Sequence, residues 1–135
     1  MIQHPEVEEV ILSGGDPLLL PNQSFKTLLA LLSAVPHIKT VRIHSRIPIV
    51  LPSRIETEWL ELWKPYPWKK VMVTHANHAQ ELNQEVGDAV HQLKCKDWTL
   101  LNQAVLLTGV NDDVEAQVQL SERLFHYGIL PYYLH

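Results

Sequence analysis

Short runs rich in Val, Ile, Leu and Tyr recur about every thirty residues along this chain, each followed by a segment of helical periodicity. That alternation restricts the fold more than any other feature. The runs predict strands near Val10–Ser13, Thr40–His44, Lys70–His75, Thr99–Leu107 and Ile129–Leu134. Several are almost continuously apolar, as strands buried on both faces of a parallel sheet are. A helix over Ser24–Ala34 ends before Pro36. The next has a capping box, Ser53 with Glu56, and an apolar face of Ile55, Trp59, Leu62 and Trp63. A third, about His78–Lys94, places Ala79, Leu82, Val86, Ala89, Val90 and Leu93 on one side. A fourth follows Asn111-Asp112-Asp113, carries Val114, Val118, Leu124 and Phe125, and stops at Gly128, a suitable residue just past a helix end. Trp59, Trp63, Trp68 and Trp98 are assigned to packing, on helical or loop segments.

The order is β-α-β-α-β-α-β-α-β, an α/β pattern without linker or low-complexity stretch. Right-handed crossovers roll such a chain into an open barrel arc or a doubly wound sheet. Five strands do not close an eight-stranded barrel. Residues Met1–Glu9 resemble the tail of a preceding helix, and the last strand stops at His135. The expectation is one partial domain over residues 1–135, truncated at both ends.

Composition removes several function classes. A chain of 135 residues with 46% apolar and 19% charged residues fits one soluble domain. The net charge of −4 gives no footprint for nucleic acid or an anionic membrane. No apolar run reaches membrane-spanning length, and the N-terminus lacks the pattern of a signal peptide, so a cytoplasmic location is expected. Cys95 is the single cysteine, which excludes an internal disulfide and any multi-thiolate metal site within one copy.

Ligands of parallel α/β folds bind beyond the carboxyl ends of the strands. Polar residues gather there on every predicted strand: Ser13-Gly14-Gly15-Asp16, then Arg42 to Arg46, then Thr74 to His78 with Glu81, then Asn102, Gln103 and Thr108–Asp112, then Tyr132, Tyr133 and His135. Alone, Ser13–Asp16 reads first as a tight turn capped by Asp16. Five clusters on one rim indicate a ligand-binding mouth. At least one of Asn102 and Gln103 is expected to be buried with its amide hydrogen-bonded. Cys95 falls at the opposite rim.

The strings LSGGDPL (Leu12–Leu18), VRIHSRIPIVLPSRI (Val41–Ile55), VTHANHAQE (Val73–Glu81), LLNQAVLLTGVND (Leu100–Asp112) and GILPYYLH (Gly128–His135) resemble, in order and spacing, the lysine 2,3-aminomutase family of radical S-adenosylmethionine enzymes. RIHSR and PYYLH are closest to its bacterial branch that makes (R)-β-lysine for elongation factor P. The resemblance implies strands two to six of a partial (β/α)6 barrel. Its mouth would serve a [4Fe–4S] cluster, S-adenosylmethionine and pyridoxal 5′-phosphate. A 5′-deoxyadenosyl radical takes hydrogen from the β-carbon of L-lysine, and the amino group moves from C2 to C3. By the same resemblance, Ser13, Gly14, Gly15 and Asp16 hold the methionyl amino group. Ser45, Arg46 and Gln103 lie near S-adenosylmethionine or the pyridoxal ligand. His75, Asn77 and His78 match a cofactor-side motif, and Tyr132 and Tyr133 lie close to the substrate.

The chain departs from the family where a CxxxCxxC loop would bind the cluster, and it lacks the pyridoxal lysine, which the family places beyond His135. As a chain alone it is expected to be inactive, with no nucleic-acid or membrane partner. Self-association is expected through the uncovered edge beside Val10–Ser13. Two alternatives remain at this level. One is a barrel metallohydrolase using His44, His75, His78 and Asp16. The other is a non-catalytic remnant that keeps the fold.

Overall fold

All five apolar runs form strands. The computed structural model describes residues 3–135. In it β1 covers Glu9–Leu12, β2 Thr40–His44, β3 Lys69–His75, β4 Trp98–Ala104 and β5 Leu130–Leu134. The sheet is wholly parallel, in the order β1-β2-β3-β4-β5. A doubly wound sheet reverses its strand order once, and this one never does. Right-handed crossovers then send every helix to the same face. The result is an α/β arc consistent with part of a TIM-like barrel.

Burial follows that arrangement. In β2, Val41 and Ile43 are fully buried, while Arg42 and His44 between them are half-exposed. In β4, Trp98, Leu100, Asn102 and Ala104 are covered, and Leu101 and Gln103 are half-open. This corrects the expectation of strands buried on both faces, because helices cover only alternate positions of β2 and β4. The sheet also curls. β2 and β5 stand three strand spacings apart, about 14 Å in a flat sheet. Yet the Arg42 guanidinium lies 5.7 Å from the centre of the Tyr132 ring. The open face is therefore concave, and its side chains converge.

Five helices pack on the covered face: α1 (Asn22–Ser33), α2 (Ile47–Val50), α3 (Thr57–Glu61), α4 (Gln84–Cys95) and α5 (Val114–Tyr127). Phe25, Leu29, Trp59, Trp63 and Leu93 fill the interface with the sheet. Phe25 meets Trp59 edge-on at 5.7 Å, and Trp63 meets Trp98 at 4.8 Å. The tryptophans pack as expected, but Trp98 does so from within β4. Gly128 closes α5 with a φ of 76°, as predicted. No described helix is long and apolar enough to cross a membrane.

Several local expectations fail for identifiable reasons. Ser53 caps nothing: it sits inside a 3-10 turn, Pro52–Arg54, started by Pro52. The capping box occurs instead at His78 and Glu81, before the 3-10 turn Ala79–Glu81. The helix expected over His78–Lys94 breaks after that turn, and Asn83 caps a fresh start at α4 by accepting from the Val86 N–H at 3.0 Å. Residues 3–8 form turns rather than the end of a helix, closed by the Val7 N–H on the His4 carbonyl. Residues 1–2 of that expected helix lie outside the described residues. β1 stops at Leu12, leaving Ser13 in the turn. β4 stops at Ala104, so Val105-Leu106-Leu107 is loop.

On α5 the expected apolar row holds only at Leu124. Ala116, Leu120 and Leu124 pack inward, whereas Val114, Val118 and Phe125 are exposed. At 100° per residue the two rows stand roughly 140° apart around the helix.

Candidate functional site

Three consecutive residues after β1 have positive φ: Gly14 at 82°, Gly15 at 59° and Asp16 at 50°. A Cβ on either glycine would meet no atom within 4 Å, so neither glycine is there to make room for packing. Their freedom serves the path of the backbone, which turns sharply at the mouth. Among the described residues nothing donates to the carbonyls of Gly14 and Gly15.

Asp16 is already engaged. Its Oδ1 accepts from the Ser45 hydroxyl at 2.6 Å and the Leu18 N–H at 3.2 Å, and its Oδ2 accepts from the Arg46 N–H at 2.9 Å. Ser45 is buried and its Oγ also accepts from the Ile47 N–H at 3.0 Å. The first two clusters are thus joined directly, with Asp16 capping the short 3-10 turn Pro17–Leu19 and fixing the end of β2. The Arg46 guanidinium stands free in solvent, with no hydrogen bond among the described residues.

On the concave face His44 and His75 meet edge-on, with ring centres 6.1 Å apart. The Nε2 of His75 is buried without a partner. Gln103 is its register neighbour on β4. Both imidazoles are held below their usual value of 6.5. Burial is the main cause, followed by the Arg42 charge for His44 and the neighbouring His44 and Arg46 charges for His75. The folded chain therefore favours neutral rings, and below about pH 6.5 the unfolded chain binds more protons. Stability should be flat above about pH 7 and fall as the pH drops from about 6.5 through the lowered folded values. Urea midpoints between about pH 5.5 and 7.5 check this. A His44→Gln/His75→Gln variant that keeps the full slope would contradict the assignment.

Below the histidines Arg42 donates to the Glu9 carboxylate at 2.6 Å, and Tyr132 lies against the guanidinium. Tyr133 turns to His135, with ring centres 4.4 Å apart, and pairs in register with Gln103.

The loops after β3 and β4 are held together by amides. Asn102 accepts from the Thr74 hydroxyl at 2.9 Å and the Ala76 N–H at 2.8 Å, and donates to the Ala76 carbonyl at 2.9 Å. This is the buried, satisfied amide the sequence led us to expect. Asn77 spends its side-chain oxygen on the Val105 N–H at 2.9 Å. Asn111, fully buried, accepts from the Leu107 N–H at 2.7 Å and donates to the carbonyls of Asn77 and Val105 at 2.8 and 2.9 Å. Glu81 accepts the Asn77 and His78 N–H groups at 2.6 and 2.9 Å.

Sequence reasoning named Asn111 and Glu81 only as mouth polarity and missed their role as ties. The signal available was that each lies a few residues from an unpaired loop backbone. It named Arg42 in the second cluster but not its partner Glu9, which it placed in the tail of a preceding helix rather than at the start of β1.

The candidate residues thus fall into two sets. Gly14, Gly15 and Arg46 keep groups open at the mouth, His75 keeps a buried Nε2 without a partner, Gln103 lies beside the two histidines, and Tyr132 rests on Arg42. Asp16, Ser45 and Asn77 are committed to holding loops. Among the described residues no three His, Cys, Asp or Glu side chains converge to hold a metal ion, so the metallohydrolase reading lacks a centre. A concavity of about 740 Å³ lies away from these groups, along the exposed Val114, Val118 and Phe125 row of α5.

No protein-family model matches the chain. Among curated proteins it is 48% identical over 132 residues to the L-lysine 2,3-aminomutase of Haemophilus influenzae, covering 98% of this chain and 39% of that protein. It is 46% identical over 132 residues to the enzyme of the same name from Escherichia coli K12, with the same two coverages. It is 40% identical over 133 residues to that of Clostridium subterminale, covering 97% of this chain and 31% of that protein. The chain therefore spans well under half the length of these relatives.

Proposed function

Since this chain belongs to the lysine 2,3-aminomutase family, we propose that its mouth is the part of such an enzyme that receives S-adenosylmethionine. The enzyme would convert L-lysine to (R)-β-lysine in the cytoplasm, with elongation factor P modification as the end use. The observation that carries this reading is the Gly14–Gly15 turn, whose carbonyls take no donor among the described residues and which Asp16 ties to the backbone of Arg46, a residue with an exposed side chain.

Two oppositely charged ends of one amino acid suit that pair. An ammonium is a donor that carbonyl oxygens accept, and a guanidinium matches a carboxylate. The unpartnered Nε2 of His75 and the amide of Gln103 add polar groups deeper in the concavity. When bound in the family's enzymes, S-adenosylmethionine supplies the radical, and this chain's groups would bind and orient its methionyl end. Asp16 and Ser45 act one step back, fixing the backbone that presents those groups. Tyr132, on the Arg42 guanidinium, would line the substrate side of the floor.

The other two family cofactors do not fit the residues present. Cys95 ends α4 at the rim opposite the mouth, and it is the only thiol. No lysine stands just beyond the carboxyl end of a strand. The chain's own residues supply neither cluster ligands nor a pyridoxal anchor, so no step is routed through either group.

The test is a titration of the isotope-labelled chain with S-adenosylmethionine, followed residue by residue by NMR. Shifts centred on Gly14, Gly15, Arg46 and His75, saturating with a weak Kd on the order of 1 mM, are expected. Silence at these residues up to about 10 mM, or shifts centred elsewhere, would overturn the reading.

A further inference from the structure

We propose that Arg54 is a positioning residue for the candidate cofactor turn, holding Gly14-Gly15-Asp16 in place from behind without touching it. The inference rests on the reading of that turn as the S-adenosylmethionine site. Arg54 ends the 3-10 turn Pro52–Arg54, and its side chain is only 16% exposed. Its Nε donates to the Leu18 carbonyl at 2.9 Å, and its Nη2 donates to the Leu20 carbonyl at 2.9 Å. The remaining arm reaches Glu56 at 3.4 Å, and Glu56 in turn accepts from the Asn22 side chain at 3.2 Å.

Leu18 and Leu20 belong to the segment that leaves Asp16, so Arg54 grips it immediately downstream. Asp16 grips the second loop in return, through Ser45 and the Arg46 N–H. The two loops are therefore fastened at both ends, an acid of the first capping the second and a base of the second clasping the first. Each fastening alone leaves a pivot, and the two together do not.

The turn needs both. Three successive positive-φ residues, one of them Asp16, form a conformation that persists only when its surroundings fix it. No packing holds the glycines, since open space surrounds them. β1 fixes the turn upstream; downstream the bonds of Asp16 and the buried Leu18 side chain are joined by the two carbonyls held on Arg54. A planar guanidinium serves two carbonyls at once from a buried position, which a single ammonium does not reproduce. Arg46 lies on the same second loop, so slack at Arg54 would also misalign the free guanidinium assigned to a ligand carboxylate.

Amide hydrogen exchange in the whole chain tests this, comparing the parent with Arg54→Lys, Arg54→Ala and the control Glu56→Gln. In both Arg54 variants, exchange at the hydrogen-bonded amides of Leu18, Leu19 and Leu20 and of Arg46 and Ile47 should rise about tenfold or more, while Met72 and Leu100 in the central strands stay within about twofold. Glu56→Gln keeps both carbonyl bonds and should stay within about twofold throughout. Millimolar free guanidinium should restore protection in Arg54→Ala but not in Arg54→Lys.

Uniform loss of protection across the sheet, in the conservative lysine variant as well, would mean a merely structural role and overturn the proposal. Unchanged exchange at Leu18, Leu19 and Leu20 would overturn it as well. The cofactor reading fails separately: loosened turn amides, with a parent turn indifferent to S-adenosylmethionine, would leave Arg54 a positioning residue and remove the ligand.

Discussion

Asp16→Ala is expected to lower the free energy of unfolding by about 2–4 kcal/mol, the sum of losing charge-assisted bonds to a buried hydroxyl and two backbone donors. The Ser45 hydroxyl would keep its place beside the Ile47 N–H but lose its acceptor in a buried setting. Alanine is also poorly suited to the φ of 50° at this position. Asp16→Gly relieves that strain and should recover about 1 kcal/mol of the loss, though none of the hydrogen bonds. Asp16→Asn should fall between the parent and alanine, because its amide nitrogen must face either the Arg46 N–H or the Leu18 N–H, donor against donor. Urea unfolding of the three variants measures the ranking. Equal losses for alanine and glycine would show that the left-handed backbone carries no cost here.

The second large effect is expected at Asn111. Asn111→Asp preserves shape while replacing an amide donor by a carboxylate that faces the carbonyls of Asn77 and Val105. An unpaired charge at a fully buried position costs about 3–5 kcal/mol. The protein has a cheaper course, which is to release the loop. Residues 105–112 should therefore become sensitive to chymotrypsin at Leu106 and Leu107 before the sheet unfolds. Asn111→Ala removes the donors without adding charge and should cost about 1–3 kcal/mol. If Asn111→Asp melts with the parent and resists the protease, the buried amide network does not hold the loop.

The number and parallel direction of the strands were readable because spacing and apolar character survive without knowledge of partners, whereas their order in the sheet, arc or doubly wound, was left open until the pairing was seen. The α5 helix was readable from Asp113 at its start and Gly128 at its end, which are local chemistry. The failures share a different cause. Ser53 with Glu56 satisfies the local pattern of a capping box, but Pro52 sets the preceding turn, and Glu56 turns to Arg54 and Asn22, far away or outside any box. Val105-Leu106-Leu107 has the composition of a strand and becomes loop, because the side chains of Asn77 and Asn111 claim two of its backbone N–H groups.

The site was legible as a set of positions but not as a set of roles. Asp16 and Ser45 sit where the motif puts them, yet they face each other across 2.6 Å, a relation between residues far apart in sequence. No pattern within either string contains it. Arg54 lay unremarked inside the second string for the same reason.

Because neighbours in sequence are neighbours in the sheet at every step, the chain can acquire its structure the way a zipper closes, each β–α unit finding its template in the one before. No strand has to wait for a distant part of the chain to arrive, so loop-closure entropy stays small throughout. Among the described residues β2, β3 and β4 have a partner on each side, with β3 at the centre, whereas β1 and β5 have one. Order should therefore spread outward from the middle and be lost from the ends. Within one mouth, His75 and Gln103 would be the oldest members, and the Gly14–Asp16 turn and Tyr132 the last to arrive.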